Sequence, residues 1–105
     1  MKPFGVLKFE VTLPDNKKIL LEGLDEALAV RKLFWRGFDG VYPKFSEVFF
    51  RLSTSSNVII DLGSYFGYYS LIAAKANPEA RIFSVDPVES SMDLQTRIFT
   101  ANAVT

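Results

Sequence analysis

The feature that most constrains this chain is a short apolar run followed by two glycines and then by helical spacing. Residues 58–60, Val-Ile-Ile, have the β-branched side chains expected of a strand that is buried on both faces. Gly63 and Gly67 then bracket a tight turn, after which apolar residues recur at helical spacing. The segment 58–70 therefore predicts a strand, a glycine turn and a helix, which together present backbone N–H groups to a polar ligand.

Upstream of this segment, the pattern predicts a β-hairpin and two helices. Alternating apolar residues on either side of a Pro-Asp-Asn-Lys turn favour a hairpin over residues 4–22. Asp25 is a suitable N-cap for a first helix that runs to about Arg36 and stops at Gly37. Pro43 suits the first turn of a second helix. Apolar residues at helical spacing predict the buried face of that helix, and they are Phe45, Val48, Phe49 and Leu52.

Downstream of the central segment, a second strand over residues 81–85 is followed by a helix from Val88 to about Ala101. Two successive strand–helix units favour the α/β class and a doubly wound, Rossmann-like parallel sheet. Such a sheet usually has about 4 to 6 strands, so this one looks incomplete and we expect a single, truncated domain. Its N-terminal hairpin and helices would occupy residues 1–57, and the start of the ligand-binding sheet would occupy residues 58–105.

Composition excludes several kinds of chemistry. The 105 residues contain no Cys and no His, which excludes a disulfide, a Cys/His zinc site and a Ser-His-Asp triad within them, and no metal is predicted. Twelve basic and twelve acidic residues give zero formal charge, which predicts neither a nucleic acid nor an anionic membrane as partner. The apolar runs are far shorter than the roughly 18 residues of a membrane helix, and we expect a cytoplasmic protein.

Two acidic residues flank the glycine turn in the sequence. Asp61 precedes Gly63 by two positions, and Asp86 follows it by 23, at the end of the second strand. In nucleotide-binding sheets, an acid about 20 residues beyond a glycine turn accepts hydrogen bonds from ribose hydroxyls. A carboxylate before the glycines would repel a pyrophosphate and attract an ammonium group, which favours S-adenosylmethionine over a dinucleotide. Alternatively, the two acids only cap the turn and the next helix, and the glycines only serve the turn and helix packing.

The run D-L-G-S-Y-F-G-Y-Y-S, followed by V-D-P-V, resembles the first and second cofactor motifs of class I S-adenosylmethionine-dependent methyltransferases. These two motifs are most similar to those of the FkbM-type family. The resemblance continues upstream through the hairpin, the run F-W-R-G-F and a Tyr-Pro pair that opens a helix. The resemblance implies the N-terminal part of a Rossmann-like methyltransferase fold with S-adenosyl-L-methionine as cofactor. The residues that it implies for cofactor binding are Asp61, Gly63, Ser64, Tyr65, Gly67, Asp86 and Pro87.

Each of these residues has a role implied by the resemblance. Asp61 and Gly63 would lie by the methionine end of the cofactor, and Gly67 would open the helix. Asp86 would bind the ribose, with Pro87 beside the adenosine. Ser64 and Tyr65 would lie along the turn, where the family more often has Ala and Asn. Asp86 stands in place of the commoner Glu. Near Tyr42-Pro43 an acid that is usual in the family is missing, and Asp39 is a candidate to replace it.

The function expected on this basis is O-methylation of a hydroxyl group on a small molecule or sugar. The catalytic residues are unknown, because the acceptor site and any base of this fold class generally come from the second half of the sheet. We expect the 105-residue chain alone to be inactive. Two alternatives stay open: a nicotinamide-dependent oxidoreductase with a degenerate glycine turn, and a non-catalytic binding fragment that self-associates through its incomplete sheet.

Overall fold

The N-terminal hairpin lies where the sequence predicts it in the computed structural model, which describes residues 5–24 and 27–104. Within those ranges the fold is α/β, with two two-stranded sheets, four α-helices and one 3₁₀-helix. In chain order the elements are β1 Val6–Thr12, β2 Lys18–Leu24, α1 Leu28–Arg36, the 3₁₀-helix Gly37–Gly40, α2 Pro43–Ser53, β3 Val58–Leu62, α3 Tyr68–Ala76, β4 Arg81–Val85 and α4 Glu89–Ala101.

The hairpin is an antiparallel pair that closes between Thr12 and Lys18. Its turn is held by local hydrogen bonds, in which the Leu13 N–H donates to the Lys17 carbonyl at 2.8 Å. Asn16 adopts the left-handed conformation at φ 70°, which Asn tolerates better than most residues. The side chains that the hairpin buries against the helices are Val11, Leu13, Ile19 and Leu21. Because an isolated hairpin is barely stable in water, this burial is what holds it to the rest of the chain.

The first helix ends as predicted and begins later than predicted. Gly37 terminates α1 at φ 65°, and its N–H donates to the Leu33 carbonyl. The helix begins at Leu28, with Ala27 as its N-cap residue. The predicted N-cap, Asp25, lies outside the described residues. No helix in those ranges is both long and apolar enough to cross a lipid bilayer.

The second helix begins at Pro43 as predicted, but the predicted buried face is wrong. Three of its four residues are more than half exposed, at 58% for Phe45, 54% for Val48 and 61% for Leu52. The side chains that α2 buries are instead Ser46, Phe50 and Ser53. Small serines let the helix approach α3 closely, and their hydroxyls bond to the Val41 and Phe49 carbonyls at 2.9 and 2.7 Å. Apolar spacing alone did not identify this small-residue face.

Strand β3 pairs with β4 in parallel, in the register Val58↔Arg81 to Leu62↔Val85. The prediction that β3 is buried on both faces is wrong. Ile59 is buried beneath α3, whereas Val58 and Ile60 are 52% and 61% exposed. The reason is that the helices of the described chain cover one face of this sheet and leave its other face to solvent.

The core joins the hairpin to the parallel sheet through α4. Ile98 of this helix is 1% exposed and belongs to the same apolar cluster as the hairpin and α3 side chains. Asn102, just past the helix end, hydrogen-bonds to both backbone groups of Leu20: its Oδ1 accepts the N–H at 2.7 Å and its Nδ2 donates to the carbonyl at 2.7 Å. The carboxamide thus forms the two hydrogen bonds that a neighbouring strand would form with this residue of β2.

The exposure difference along α2 gives a stability prediction. Phe50→Ala should lower the free energy of unfolding by about 3–5 kcal/mol, because it leaves a cavity in the core. Leu52→Ala on the exposed face of the same helix should change it by no more than about 0.5 kcal/mol. Urea unfolding followed by far-UV circular dichroism measures both, and equal losses in the two variants would contradict the observed packing.

Candidate functional site

The glycine turn continues the parallel sheet beyond the end of β3. The Gly63 and Ser64 N–H groups both donate to the Val85 carbonyl, at 2.8 and 3.1 Å. The first residues of the turn are therefore tied to the last residue of β4. This places residues 61–65 beside residues 84–86, at the edge where both parallel strands end. Ligands of open α/β sheets bind at this kind of edge.

Asp86 lies directly against the turn. Its Oδ2 accepts the Tyr65 N–H at 2.9 Å, and its Oδ1 accepts the Val88 N–H at 2.9 Å. The second bond closes the Asp-Pro turn that the alternative interpretation expected, but it does not cap α4, whose N-cap residue is Val88 and has no side-chain cap bond. A carboxylate has about four acceptor positions, so each oxygen keeps a further lone pair for a ligand hydroxyl. Asp86 therefore has a structural task and can also accept hydrogen bonds from outside.

Asp61 lies on the α3 side of the same edge. Its Oδ2 accepts the Ser70 hydroxyl at 2.8 Å, which links the end of β3 to the first turn of α3. In the described ranges, Oδ1 of Asp61 has no hydrogen-bond partner, and the side chain is half-buried. The capping alternative expected Asp61 to accept a backbone N–H of the turn. The observed partner is instead the side chain of Ser70 in α3. One carboxylate oxygen is left to face a cationic group.

The two glycines differ in their surroundings. A Cβ on Gly63 would meet no atom within 4 Å, and the residue is exposed at φ 70°. A Cβ on Gly67 would lie 2.8 Å from the Phe99 ring, and Gly67 is buried at φ 85° as the N-cap of α3. Gly67 thus allows α4 to pack closely against the turn. Gly63 is the glycine that has open space beside its backbone. The N–H groups of Gly63, Ser64 and Tyr65 are bonded within the protein, so the sequence expectation that they face a ligand is wrong for these three residues.

Tyr65 forms the tip of the turn in a conformation that is uncommon for a residue with a side chain. It lies in the left-handed region at φ 51°, and 43% of it is exposed. Its ring contacts the buried Phe66 edge-on, with 4.9 Å between centroids. Its backbone is held on both sides, since the N–H donates to Asp86 and the carbonyl accepts the Gln95 Nε2 at 2.7 Å. Pro87, which follows Asp86 just past the end of β4, is exposed.

The sequence did not identify Gln95 as part of this site. Gln95 is 1% exposed on α4, and its Nε2 also donates to the Ser64 hydroxyl at 2.6 Å. Its Oε1 accepts the Ser84 hydroxyl of β4 at 2.7 Å. The one signal in the sequence is that Gln95 lies three positions before the apolar Ile98, on the face that α4 buries.

Two tyrosines, Tyr68 and Tyr69, form the start of α3, directly after the glycine turn. The Tyr69 hydroxyl lies 3.0 Å from Ser46 Oγ, and its ring contacts Phe45 and Phe49 edge-on. The Tyr68 hydroxyl is buried and has no hydrogen-bond partner among the described residues. Burial raises the pKa of the Tyr68 phenol well above its usual value, and the neighbouring Tyr69 and Asp39 add to this. Asp39, the acid that the sequence offered as a replacement near Tyr42-Pro43, is therefore close enough to Tyr68 to disfavour its charged form.

Two cavities lie away from the turn. One, of about 480 Å³, lies between α3, β4 and the end of α4, with Ser70, Lys75 and Ser84 in its wall. The other, of about 410 Å³, lies between the hairpin and α4. Neither is lined by residues 61–67. The candidate site is therefore defined by the strand ends and the turn, on an open edge.

No protein-family model, curated protein sequence or solved structure matches the chain. In residues 5–24 and 27–104, no three Asp or Glu side chains are grouped so that they could hold a metal ion. The chemistry and geometry of the turn and the two strand ends therefore determine which ligand this edge can bind.

The two neighbouring tyrosines provide a test of the core around α3. Tyr68→Phe should raise the free energy of unfolding by about 1 kcal/mol, because it removes a buried hydroxyl that lacks a partner. Tyr69→Phe is the matched control and should lower it by about 1 kcal/mol, because it removes the bond to Ser46. Chemical unfolding of both variants measures the difference. A loss of stability in Tyr68→Phe would mean that its hydroxyl has a partner in solution.

Proposed function

We propose that the protein is an S-adenosylmethionine-dependent methyltransferase of the Rossmann-like class, and that residues 58–105 form the start of its cofactor-binding sheet. The acceptor would be a hydroxyl group on a small molecule or sugar. The observation that carries the proposal is the grouping of Asp61, the open Gly63 backbone and Asp86 at the carboxyl ends of two adjacent parallel strands.

The charges of this edge suit the chemistry of such a ligand. Asp61 has an oxygen free among the described residues and would receive the ammonium group of the methionine portion. Asp86 would accept hydrogen bonds from the ribose diol with the lone pairs that Tyr65 and Val88 leave unused. Two carboxylates at one edge would repel a pyrophosphate. A nicotinamide dinucleotide is therefore the less favoured ligand.

The remaining residues of the edge would shape the site. Gly63 would let the ligand approach the backbone, since nothing occupies the position of its missing Cβ. Tyr65 and Pro87 are both exposed, and their apolar surfaces would border the adenosine portion. The buried Gly67 and Ser64 would act indirectly, by fixing the turn against α4.

The cofactor, when bound, supplies a methyl group on a positively charged sulfur, which is a strong electrophile. The residues of this chain would bind and orient it, and orientation contributes much of the rate in reactions of this kind. We assign no general base, since the described part of the chain places no candidate base beside an acceptor site. O-methylation also needs a group that accepts the proton of the acceptor hydroxyl.

Ligand-dependent thermal stability tests the proposal. S-adenosylhomocysteine at about 100 times its Kd should raise the unfolding temperature by roughly 10 °C, because a ligand that binds only the folded state stabilises it. NAD⁺ and NADH should leave the unfolding temperature unchanged. Stabilisation by NADH in place of S-adenosylhomocysteine would instead support the oxidoreductase.

The same thermal assay, applied to two variants and two ligands, tests which acid binds which part of the cofactor. Asp61→Asn keeps an acceptor for Ser70 and removes the charge, so it should weaken S-adenosylhomocysteine binding and leave adenosine binding unchanged. Asp86→Asn should weaken both ligands, because both contain the ribose diol. It should also lower stability somewhat, since one of two acceptors for Tyr65 and Val88 becomes a donor. Equal effects of Asp61→Asn on both ligands would refute its assignment to the ammonium group.

A second candidate function is a non-catalytic module that self-associates through the open face of the parallel sheet. This face supports it because all but one of its outward side chains are apolar and 47–76% exposed, namely Val58, Ile60, Leu62, Phe83 and Val85. The exception is Arg81, at the start of β4, whose guanidinium lies over the Phe83 ring. A contiguous apolar surface of this kind commonly marks an interaction site. Self-association and cofactor binding are compatible, since the open face and the binding edge are different surfaces of the same sheet.

Sedimentation tests the second candidate. The chain should form dimers or larger species at micromolar concentration, and Ile60→Lys should shift them towards monomer by burying a charge in the interface. Leu28→Lys is the control, since Leu28 is also an exposed apolar residue, at 58%, but lies on α1. A wild-type chain that sediments as a monomer throughout would refute association, and an equal effect of the control would refute this face.

A further inference from the structure

Gln95 connects three segments that meet at the candidate site. From α4 it reaches the turn through the Ser64 hydroxyl and the Tyr65 carbonyl, at 2.6 and 2.7 Å. On its other side it reaches β4 through the Ser84 hydroxyl, at 2.7 Å. With 1% of its surface exposed, the side chain is shielded from water. Hydrogen bonds in such surroundings are geometrically strict, because an unpaired group has no solvent to replace its partner.

We propose that Gln95 is a positioning residue, which fixes Ser64 and Tyr65 of the glycine turn in the shape that the adenosyl cofactor requires. The inference rests on the proposed function, and it adds a residue that acts on the cofactor through the turn. Gln95 itself is buried behind the turn, so it would act on the ligand only through the residues to which it bonds.

The carboxamide suits this task better than any other side chain of similar size. It has two N–H donors and one oxygen acceptor, and all three are used here. Glutamate would place a second acceptor against the Tyr65 carbonyl, and methionine would leave that carbonyl without a donor. The stem of Gln95 also packs behind the turn, since its Cγ lies 3.0 Å from where a Cβ on Gly67 would be.

Tyr65 is the residue that most needs to be fixed. Its left-handed conformation is uncommon for a residue with a Cβ, so the surroundings must hold it in place. Asp86 holds its N–H and Gln95 holds its carbonyl. Without Gln95, the Tyr65 carbonyl loses its donor, and the bond from the Gly67 N–H to the Ser64 carbonyl is left to hold the peptide that follows Tyr65. The Tyr65 ring would then leave the edge where the ligand binds, and the bond to Asp86 would weaken.

Asn102 provides a matched control for a change at Gln95. It is also a buried carboxamide, 7% exposed, at the end of the same helix. It too forms three hydrogen bonds, to the Leu20 N–H, the Leu20 carbonyl and the Ile98 carbonyl. Those partners belong to the hairpin and to α4, and none of them belongs to the turn. Removing either carboxamide should lower stability, but only one of them should affect the cofactor.

The experiment compares Gln95→Met with Asn102→Met in the full chain, below the unfolding temperature of both. Calorimetry gives the Kd of S-adenosylhomocysteine, and ¹H–¹⁵N NMR gives the hydrogen exchange of the Tyr65 amide. Gln95→Met should raise the Kd about tenfold or more and speed exchange at Tyr65, as loss of two hydrogen bonds to the turn predicts. Asn102→Met should lower the unfolding temperature as much and change the Kd less than about twofold.

Each outcome decides the point. If both variants raise the Kd equally, the effect follows from stability and the positioning role is refuted. If the wild-type chain does not bind S-adenosylhomocysteine, the proposed function fails. Hydrogen exchange of the Tyr65 amide then tests by itself whether Gln95 fixes the turn. Faster exchange in Gln95→Met but not in Asn102→Met would support a role in fixing the turn. Unchanged exchange in Gln95→Met would refute it.

Discussion

The pairing of β3 with β4 is the interaction on which the candidate site depends. Its register sets Leu62 beside Val85, and the Val85 carbonyl then accepts the first two N–H groups of the turn. A shift of one residue would turn every side chain to the opposite face of the sheet. Ser84 would then point away from Gln95, and Asp86 would lose its place beside the turn. The register of β3 and β4 therefore fixes three things at once: the positions of the two acids, the place of the turn and the contact with Gln95 of α4.

Helix α4 is the second constraint, because it connects the site to the hairpin. Two carboxamides seven residues apart, about two helical turns, make the connections. Gln95 holds the turn, and Asn102 occupies the edge of β2. Between them, Ile98 packs into the shared apolar core. Polar contacts thus determine how the helix is oriented, while apolar burial supplies most of its stability.

The sequence predicted local structure better than burial. The hairpin, the helix stop at Gly37 and both parallel strands follow from turn chemistry and periodicity, which are local properties. The buried face of α2 was predicted wrongly, because Ser46 and Ser53 are polar yet small enough for close helix packing. The burial of β3 was also overestimated, since a β-branched run does not reveal which elements cover it. Gln95 was missed because a polar residue within a helix gives no sign of partners thirty positions away.

The hydrogen bonds between Leu20 and Asn102 join residues 82 positions apart. During synthesis the hairpin is made before α4, so the edge of β2 stays without its Asn102 partner until 82 more residues have been added. Until then the apolar face of the hairpin has no α4 to pack against, and a hairpin alone is barely stable. The hairpin can instead pack on α1 and α3 before α4 exists, and its bond to Asn102 is a long-range contact that can form only afterwards.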